Sequence, residues 1–352
     1  VCLDGIAIDS RSFARGNRRF SIQAVQAAGT PPLQLLSADD AVEVMTGAVM
    51  PGGTDCVIPQ EEYSEEDGAV QLRDRATAAA NRDVQRRGED SQLGIAMLHA
   101  GVRLGAPQIA VVASAGLASV RVSRQPRFMV ISTGDELVEP GRPIADHQVR
   151  RSNVFSIVAA LRARHFEQVC NDHIADDRRL LSDRLAKHLS TQDVLILSGG
   201  VSKGKFDFVP AVLKSLGVRE VFYKVAQRPG MPMWFGSSAT GCAVFGLPGN
   251  PVATLVCLTR YVIPAMVTAM GTRPYPLERL ALSTPVPSGR APFSYFLPVA
   301  VHYDESGRPR AAARRPNGPG DFLALTQADG FLELPPSSDG YPEGFVADMY
   351  RW

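Results

Sequence analysis

The 352-residue sequence lacks an excess of either charge: 37 Lys and Arg stand against 36 Asp and Glu, a formal net charge of +1. A chain that held nucleic acid through its phosphates would need a basic surplus, so nucleic acid is not expected as a partner. Cysteine is scarce. The five residues (Cys2, Cys56, Cys170, Cys242 and Cys257) are far apart and never form C-x-x-C. An odd, scattered set argues against a disulfide framework or a zinc site and predicts reduced, buried thiols. No uninterrupted apolar run reaches the roughly 18 residues that a membrane span needs. The best candidate, Val252 to Met270, is broken by Thr254, Arg260 and Pro264, so no membrane partner is expected. No basic stretch leads into an apolar one at the N-terminus, which predicts no secretory signal and a cytoplasmic location. The six histidines lack H-x-x-x-H spacing, and no G-x-S-x-G elbow supports a Ser-His-Asp hydrolase.

What is present reads as a folded chain: 45% hydrophobic with 21% charged residues is too apolar for disorder. From Arg127 onward, apolar runs alternate with amphipathic stretches. Phe128 to Ile131, Glu167 to Ile174, Val194 to Leu197, Glu220 to Val225 and Ala243 to Phe245 read as strands; Asn153 to Arg164, Asp177 to Leu189, Asp207 to Leu216 and Pro251 to Met270 read as helices. Strand and helix in alternation imply crossover connections and an α/β fold, a three-layer, mostly parallel sheet domain. It is placed at 125–272. Ahead of it, 1–124 reads as a small β-rich lobe with its leading and connecting segments, including a polar loop from Asn81 to Gly94. After it, 273–352 is proline-rich, with strand-like runs at Phe296 to Tyr303, Phe322 to Thr326 and Phe331 to Leu334, and reads as a C-terminal β domain.

In a parallel α/β sheet the ligand crevice lies beyond the carboxyl ends of the strands. Three loops fall there. Ser132-Thr133-Gly134-Asp135-Glu136-Leu137 places two hydroxyls and two carboxylates at a strand end, suited to a polar ligand or a metal, or equally to a turn with a helix-capping acid. Ser198-Gly199-Gly200-Val201-Ser202-Lys203-Gly204-Lys205-Phe206-Asp207 has glycines that let backbone N–H groups approach an anion, at the start of a helix. It matches neither the P-loop nor the dinucleotide fingerprint. Gly246-Leu247-Pro248-Gly249-Asn250-Pro251-Val252 puts Asn250 at a capping position and Pro251 in the first helical turn. A fourth segment, Gln227 to Pro232, offers the single fixed cation Arg228, which can hold an oxyanion bidentately.

These loops, in this order, resemble the molybdopterin molybdenumtransferase family, the molybdenum insertases that include the E domain of gephyrin. Leu3-Asp4-Gly5-Ile6-Ala7 is similar to the family's M-D-G-Y-A, and Met45-Thr46-Gly47-Ala48 with Pro51, Gly53 and Asp55 to its T-G-A-x-x-P-x-G-x-D. Arg87-Gly88-Glu89-Asp90, the Thr133 to Leu137 stretch, Asn153, the Ser198 to Asp207 loop and Leu247 to Val252 follow in family order. The resemblance implies a reaction in which adenylylated molybdopterin and molybdate give molybdenum cofactor and AMP, with Mg²⁺ assisting, in a homodimer whose cleft is shared between subunits. It assigns catalysis to Asp4, Thr46, Glu136 and Asp207, with Glu136 and Asp207 on the metal. Substrate binding falls to Asp90, Thr133, Gly134, Asp135, Asn153, Asp177, Ser198, Gly199, Gly200, Ser202, Arg228, Pro248, Asn250 and Pro251.

Departures from the pattern cluster around molybdate. The family's K-P-G-K-P is Arg228-Pro229-Gly230-Met231-Pro232 here, so one of two oxyanion-facing cations becomes a thioether. Ala253 stands where a serine commonly follows P-G-N-P-V, Gly318 to Phe322 lacks the serine of G-S-x-x-L, and Gly289 to Tyr295 loses a cation of G-R-x-E-F-x-R. The helical segment that precedes M-D-G-Y-A in the family and helps its dimerisation is expected to be missing. A molybdopterin-binding carrier or scaffold without insertase activity is therefore the alternative function.

Overall fold

The computed structural model describes residues 1–352 apart from 201–207, 275, 289–291 and 319. The chain divides into two compact units, Val1–Met97 and Leu98–Trp352.

The first unit is built on a six-stranded sheet in the order Cys56–Pro59, Gly5–Ile8, Asp40–Val44, Arg19–Gln26, Ala69–Leu72, Tyr63–Glu66. All pairs are antiparallel except Arg19–Gln26 with Asp40–Val44. Alternation in Gly5–Ile8 explains why that strand is central: Ile6 and Ile8 join Phe20 and Ile58 in one core, while Ala7 joins Val42 and Val57 in another. Glu65 and Glu66 lie on the exposed edge strand, where charge discourages further pairing. Residues 81–94 carry no helix or strand.

The second unit contains the α/β sheet. Its order is Val169–Ile174, Phe128–Thr133, Val194–Ser198, Ala243–Leu247, Trp234–Ser237, Arg219–Tyr223; the first four strands are parallel and the last two antiparallel additions. Both faces are covered, so the central strands are apolar throughout. Phe128 and Val130 pack toward the helices Asn153–Arg162 and Pro251–Cys257, and Met129 and Ile131 toward Arg178–Thr191 and Val209–Ser215.

The long helix expected over Pro251 to Met270 is present: Pro251–Cys257, a π-helical Leu258–Val262 and Ile263–Ala269 form one continuous helix of 19 residues with mean hydropathy 1.6, and Thr254, Arg260 and Pro264 lie within it. Proline supplies no N–H for a bond four residues back, and the wider π turn just before Pro264 absorbs that gap. The helix is long and apolar enough to cross a membrane by length and composition alone; here its apolar side, from Val252 through Met266, is core. Its polar residues Thr254 and Arg260 are partnered. Thr254 Oγ1 donates to the Pro248 carbonyl at 2.6 Å, and Arg260 pairs with Glu333 at 2.7 Å and stacks on Tyr350.

The C-terminal sheet runs Gln227–Arg228, Ser294–Tyr303, Pro309–Ala313, Glu278–Leu282, Val346–Arg351, Gly330–Leu334, and Ser294–Tyr303 also pairs with Gly330–Leu334, closing it like a barrel. Phe322–Thr326 is a short helix and not the expected strand: Asp321 caps it by accepting from Ala324 N–H at 3.0 Å, and only Leu325 is buried. All five cysteines are free. Cys56, Cys242 and Cys257 are buried as expected, but Cys2 and Cys170 are exposed.

Candidate active site

The chain leaves Phe128–Thr133 toward one edge of the sheet, then returns to its other side as Val194–Ser198. Strand order therefore reverses between these two strands, and their carboxyl ends part at a topological switch point, where open α/β sheets bind ligands. Ser132 and Ser198 sit side by side in register there. A cavity of about 380 Å³ opens at this point, lined by Ser132, Thr133, Glu136, Arg151, Asn153, Ser198, Gly199, Gly249 and Pro251.

Each lining group has a local cause. Asn153 opens the helix Asn153–Arg162. Its amide nitrogen donates to Ser198 Oγ at 2.9 Å, to the Gly249 carbonyl at 2.9 Å and more weakly to Thr254 Oγ1 at 3.4 Å. One side chain thus ties three loops together. Asn153 Oδ1 and Thr133 Oγ1, both buried, have no hydrogen-bond partner among the described residues. Gly134 has φ +132°, and a Cβ there would lie 2.4 Å from Glu136 Oε2, so glycine lets the Glu136 carboxylate fold back over the strand end. Gly200 has φ +66°, and a Cβ would meet Thr133 Oγ1 at 2.7 Å and Val209 at 2.8 Å. The Gly199 N–H is not a free donor, because it reaches the Leu247 carbonyl at 3.3 Å. Ser202, Lys203, Lys205 and Asp207 lie outside the described residues.

Asp135 and Asp177 do not line this cavity; both serve the backbone. Asp135 accepts from the Asp176 N–H at 3.1 Å, and Asp177 caps Arg178–Thr191 by accepting from the Leu180 N–H at 2.7 Å. Among the described residues no group of three His, Cys, Asp or Glu side chains is placed to hold a metal ion.

A second cavity, about 660 Å³, is lined by Arg228, Met231, Pro248, Asn250, Ser288, Tyr295 and Arg315. Arg228 stacks on Phe293, with its guanidinium carbon 5.1 Å from the ring centre, and its buried Nε has no partner among the described residues. Residues 248–251 serve both cavities: Pro248 and Asn250 line the larger, Gly249 and Pro251 the smaller. Asn250 also caps the following helix through the Ala253 N–H at 3.3 Å.

In the first unit, Asp4 and Thr46 meet. Asp4 Oδ1 accepts from the Thr46 N–H at 2.6 Å and from its hydroxyl at 2.8 Å, bonds that hold the Asp4 carboxyl below its usual range. Asp90 is exposed and accepts from Gln85 at 3.2 Å.

Three family models match the chain in order: the MoeA N-terminal region (domain I and II) over residues 1–116, a probable molybdopterin binding domain over 129–268, and the MoeA C-terminal region (domain IV) over 279–352. The molybdopterin molybdenumtransferase of Synechocystis is 36% identical over all of this chain and 88% of its own length. The chain belongs to the molybdopterin molybdenumtransferase family. The Bacillus subtilis molybdopterin molybdenumtransferase is 31% identical, over 97% of this chain and 80% of its own. Two crystal structures of the molybdopterin biosynthesis MoeA protein of Pyrococcus horikoshii give TM-scores of 0.77 at 28% identity and 0.80 at 22%, each covering 99% of this chain and 86% of that chain.

In this molybdenumtransferase-family chain the structure adds residues that sequence reasoning passed over. Arg151 is buried, with Nε donating to Ser132 Oγ at 2.8 Å, one terminal nitrogen to Glu139 at 2.6 Å and the other to Asn171 at 2.7 Å. It fixes the Ser132 hydroxyl, which His173 Nδ1 also meets at 3.0 Å. Its only sequence signal was a pair of arginines just before a helix start, which looks the same as a solvated pair.

Proposed function

We propose that this chain inserts molybdate into adenylylated molybdopterin and releases AMP. The carrying observation is the pair of buried oxygens, Thr133 Oγ1 and Asn153 Oδ1, that have no partner among the described residues at the switch-point cavity. Leaving a buried polar atom unpaired costs roughly 1–3 kcal/mol, a cost that a polar guest removes. We place the phosphate-bearing part of the pterin there, against Thr133, Gly134, Asn153, Ser198, Gly199, Gly200 and Pro251, with Ser202 from the loop outside the described residues. Molybdate takes the neighbouring cavity with Arg228, Pro248 and Asn250.

Mg²⁺ belongs to this proposal as a requirement for Glu136 and Asp207. The described carboxylates alone do not make a complete set. Asp135 and Asp177 would reach substrate only through the oxygens their backbone bonds leave over. Asp4, Thr46 and Asp90 are assigned to the cleft of a homodimer, completing the partner subunit's site.

The test supplies purified protein with adenylylated molybdopterin, with molybdate, and with both, and follows nucleotide by chromatography. AMP should appear only with both. Pterin binding in calorimetry without AMP release would support the carrier alternative, and no pterin binding would refute both.

A further inference from the structure

The larger cavity is unusual in its charge. Its described lining holds two guanidiniums, Arg228 and Arg315, and no carboxylate. Two positive charges in a described lining that offers no carboxylate repel one another, and an anion between them removes that repulsion. The two cations differ in how they are held. Arg228 is anchored, stacked on Phe293 with its Nε buried. Arg315 comes from the C-terminal β domain, is exposed, and has no hydrogen bond or ion pair among the described residues. It is close enough to the half-buried Tyr295 to bias that phenol toward its charged form, against the burial that pushes it upward. Met231 lines the same cavity, and its thioether side chain offers no donor.

We propose that Arg315 is the second oxyanion-binding cation of this chain, reaching from the C-terminal domain to supply the charge that Met231 does not. This rests on the assignment of molybdate to the larger cavity. The anchored Arg228 then sets where a tetrahedral dianion sits. The unengaged Arg315 closes on it, forming charge-assisted hydrogen bonds only when the anion is present. Oxyanion affinity thus depends on a residue outside the α/β domain, and selectivity among tetrahedral anions on how far that arm extends.

Calorimetry on the full chain tests this, with molybdate and, separately, sulfate as probes. Arg315→Ala should weaken molybdate binding about tenfold, the scale of one lost charge-assisted hydrogen bond. Arg315→Lys should lose less, and Met231→Lys placed in the Arg315→Ala background should restore affinity. Unchanged melting temperature in each variant keeps the comparison to binding. Wild-type affinity in Arg315→Ala alongside a loss in Arg228→Ala would overturn the role of Arg315 and leave the cavity assignment standing. No molybdate or sulfate binding by the unaltered protein would overturn the cavity assignment itself, and Arg315 with it.

Discussion

Replacing Asn153 with alanine removes the one side chain that holds three loops of the switch point together. The loss is two firm hydrogen bonds, to Ser198 Oγ and to the Gly249 carbonyl, both at 2.9 Å, and a longer one to Thr254. Thr254 keeps its own donation to the Pro248 carbonyl, so that contact adds little. Each firm bond contributes about 1 kcal/mol net, and stranding buried acceptors raises the sum to roughly 2–3 kcal/mol. For a unit of this size that corresponds to a melting temperature lower by roughly 4–10 °C. Thermal unfolding followed by circular dichroism measures it, with Ser198→Ala as a control that loses one of the two bonds and should fall about half as far. Asn153→Asp should not rescue, because a carboxylate would face the Gly249 carbonyl with no proton to give. An Asn153→Ala protein melting within about 1 °C of the parent would show that the tie contributes nothing, and would refute the reasoning.

Two further outcomes are expected. Asp193 accepts from Arg124 at 2.7 and 3.0 Å and from the Arg127 side chain and N–H, hydrogen bonds that hold its carboxyl far below the usual range. A depressed carboxyl contributes stability that is complete above the ordinary aspartate value of 3.8 and is lost as pH falls through the folded value. Asp193→Asn should therefore lower stability by about 1–2 kcal/mol at neutral pH, with the gap from the parent narrowing in strong acid; a gap independent of pH would contradict this. If the site is shared across a homodimer, mixing unfolded Asp4→Ala and Glu136→Ala chains and refolding them together should recover about a quarter of parental AMP release. Half of the dimers are then mixed, and each has one intact site. No recovery would argue that each chain completes its own site.

Legibility from sequence followed the physics of each segment. The parallel strands were readable because burial on two faces makes Val194–Ser198 or Phe128–Thr133 a plain apolar run, and the loops at their ends carried glycines for which the backbone has a steric use. Phe322–Thr326 misled because four apolar residues and a threonine have too little length to show a period; the Asp321 cap was the stronger signal. The polar residues of the 251–269 helix looked like interruptions because their partners, Pro248 and Glu333, are a loop carbonyl and a distant strand. Asp135 and Asp177 could not be told apart from ligand-facing acids by type, since a capping carboxylate and a binding one differ only in which N–H is nearby. Arg151 and Arg315 were silent for the same reason. A guanidinium announces its task only through what surrounds it.

The segment from Pro248 to Pro251 behaves as a party wall. Successive residues turn to different rooms, and two prolines keep the backbone from flexing independently for each tenant. If both cavities take the occupants proposed for them, any shift that one imposes on that wall is met by the other, and the two occupancies are thermodynamically linked. Whatever the first guest does to the affinity of the second, the second does to the first by the same factor.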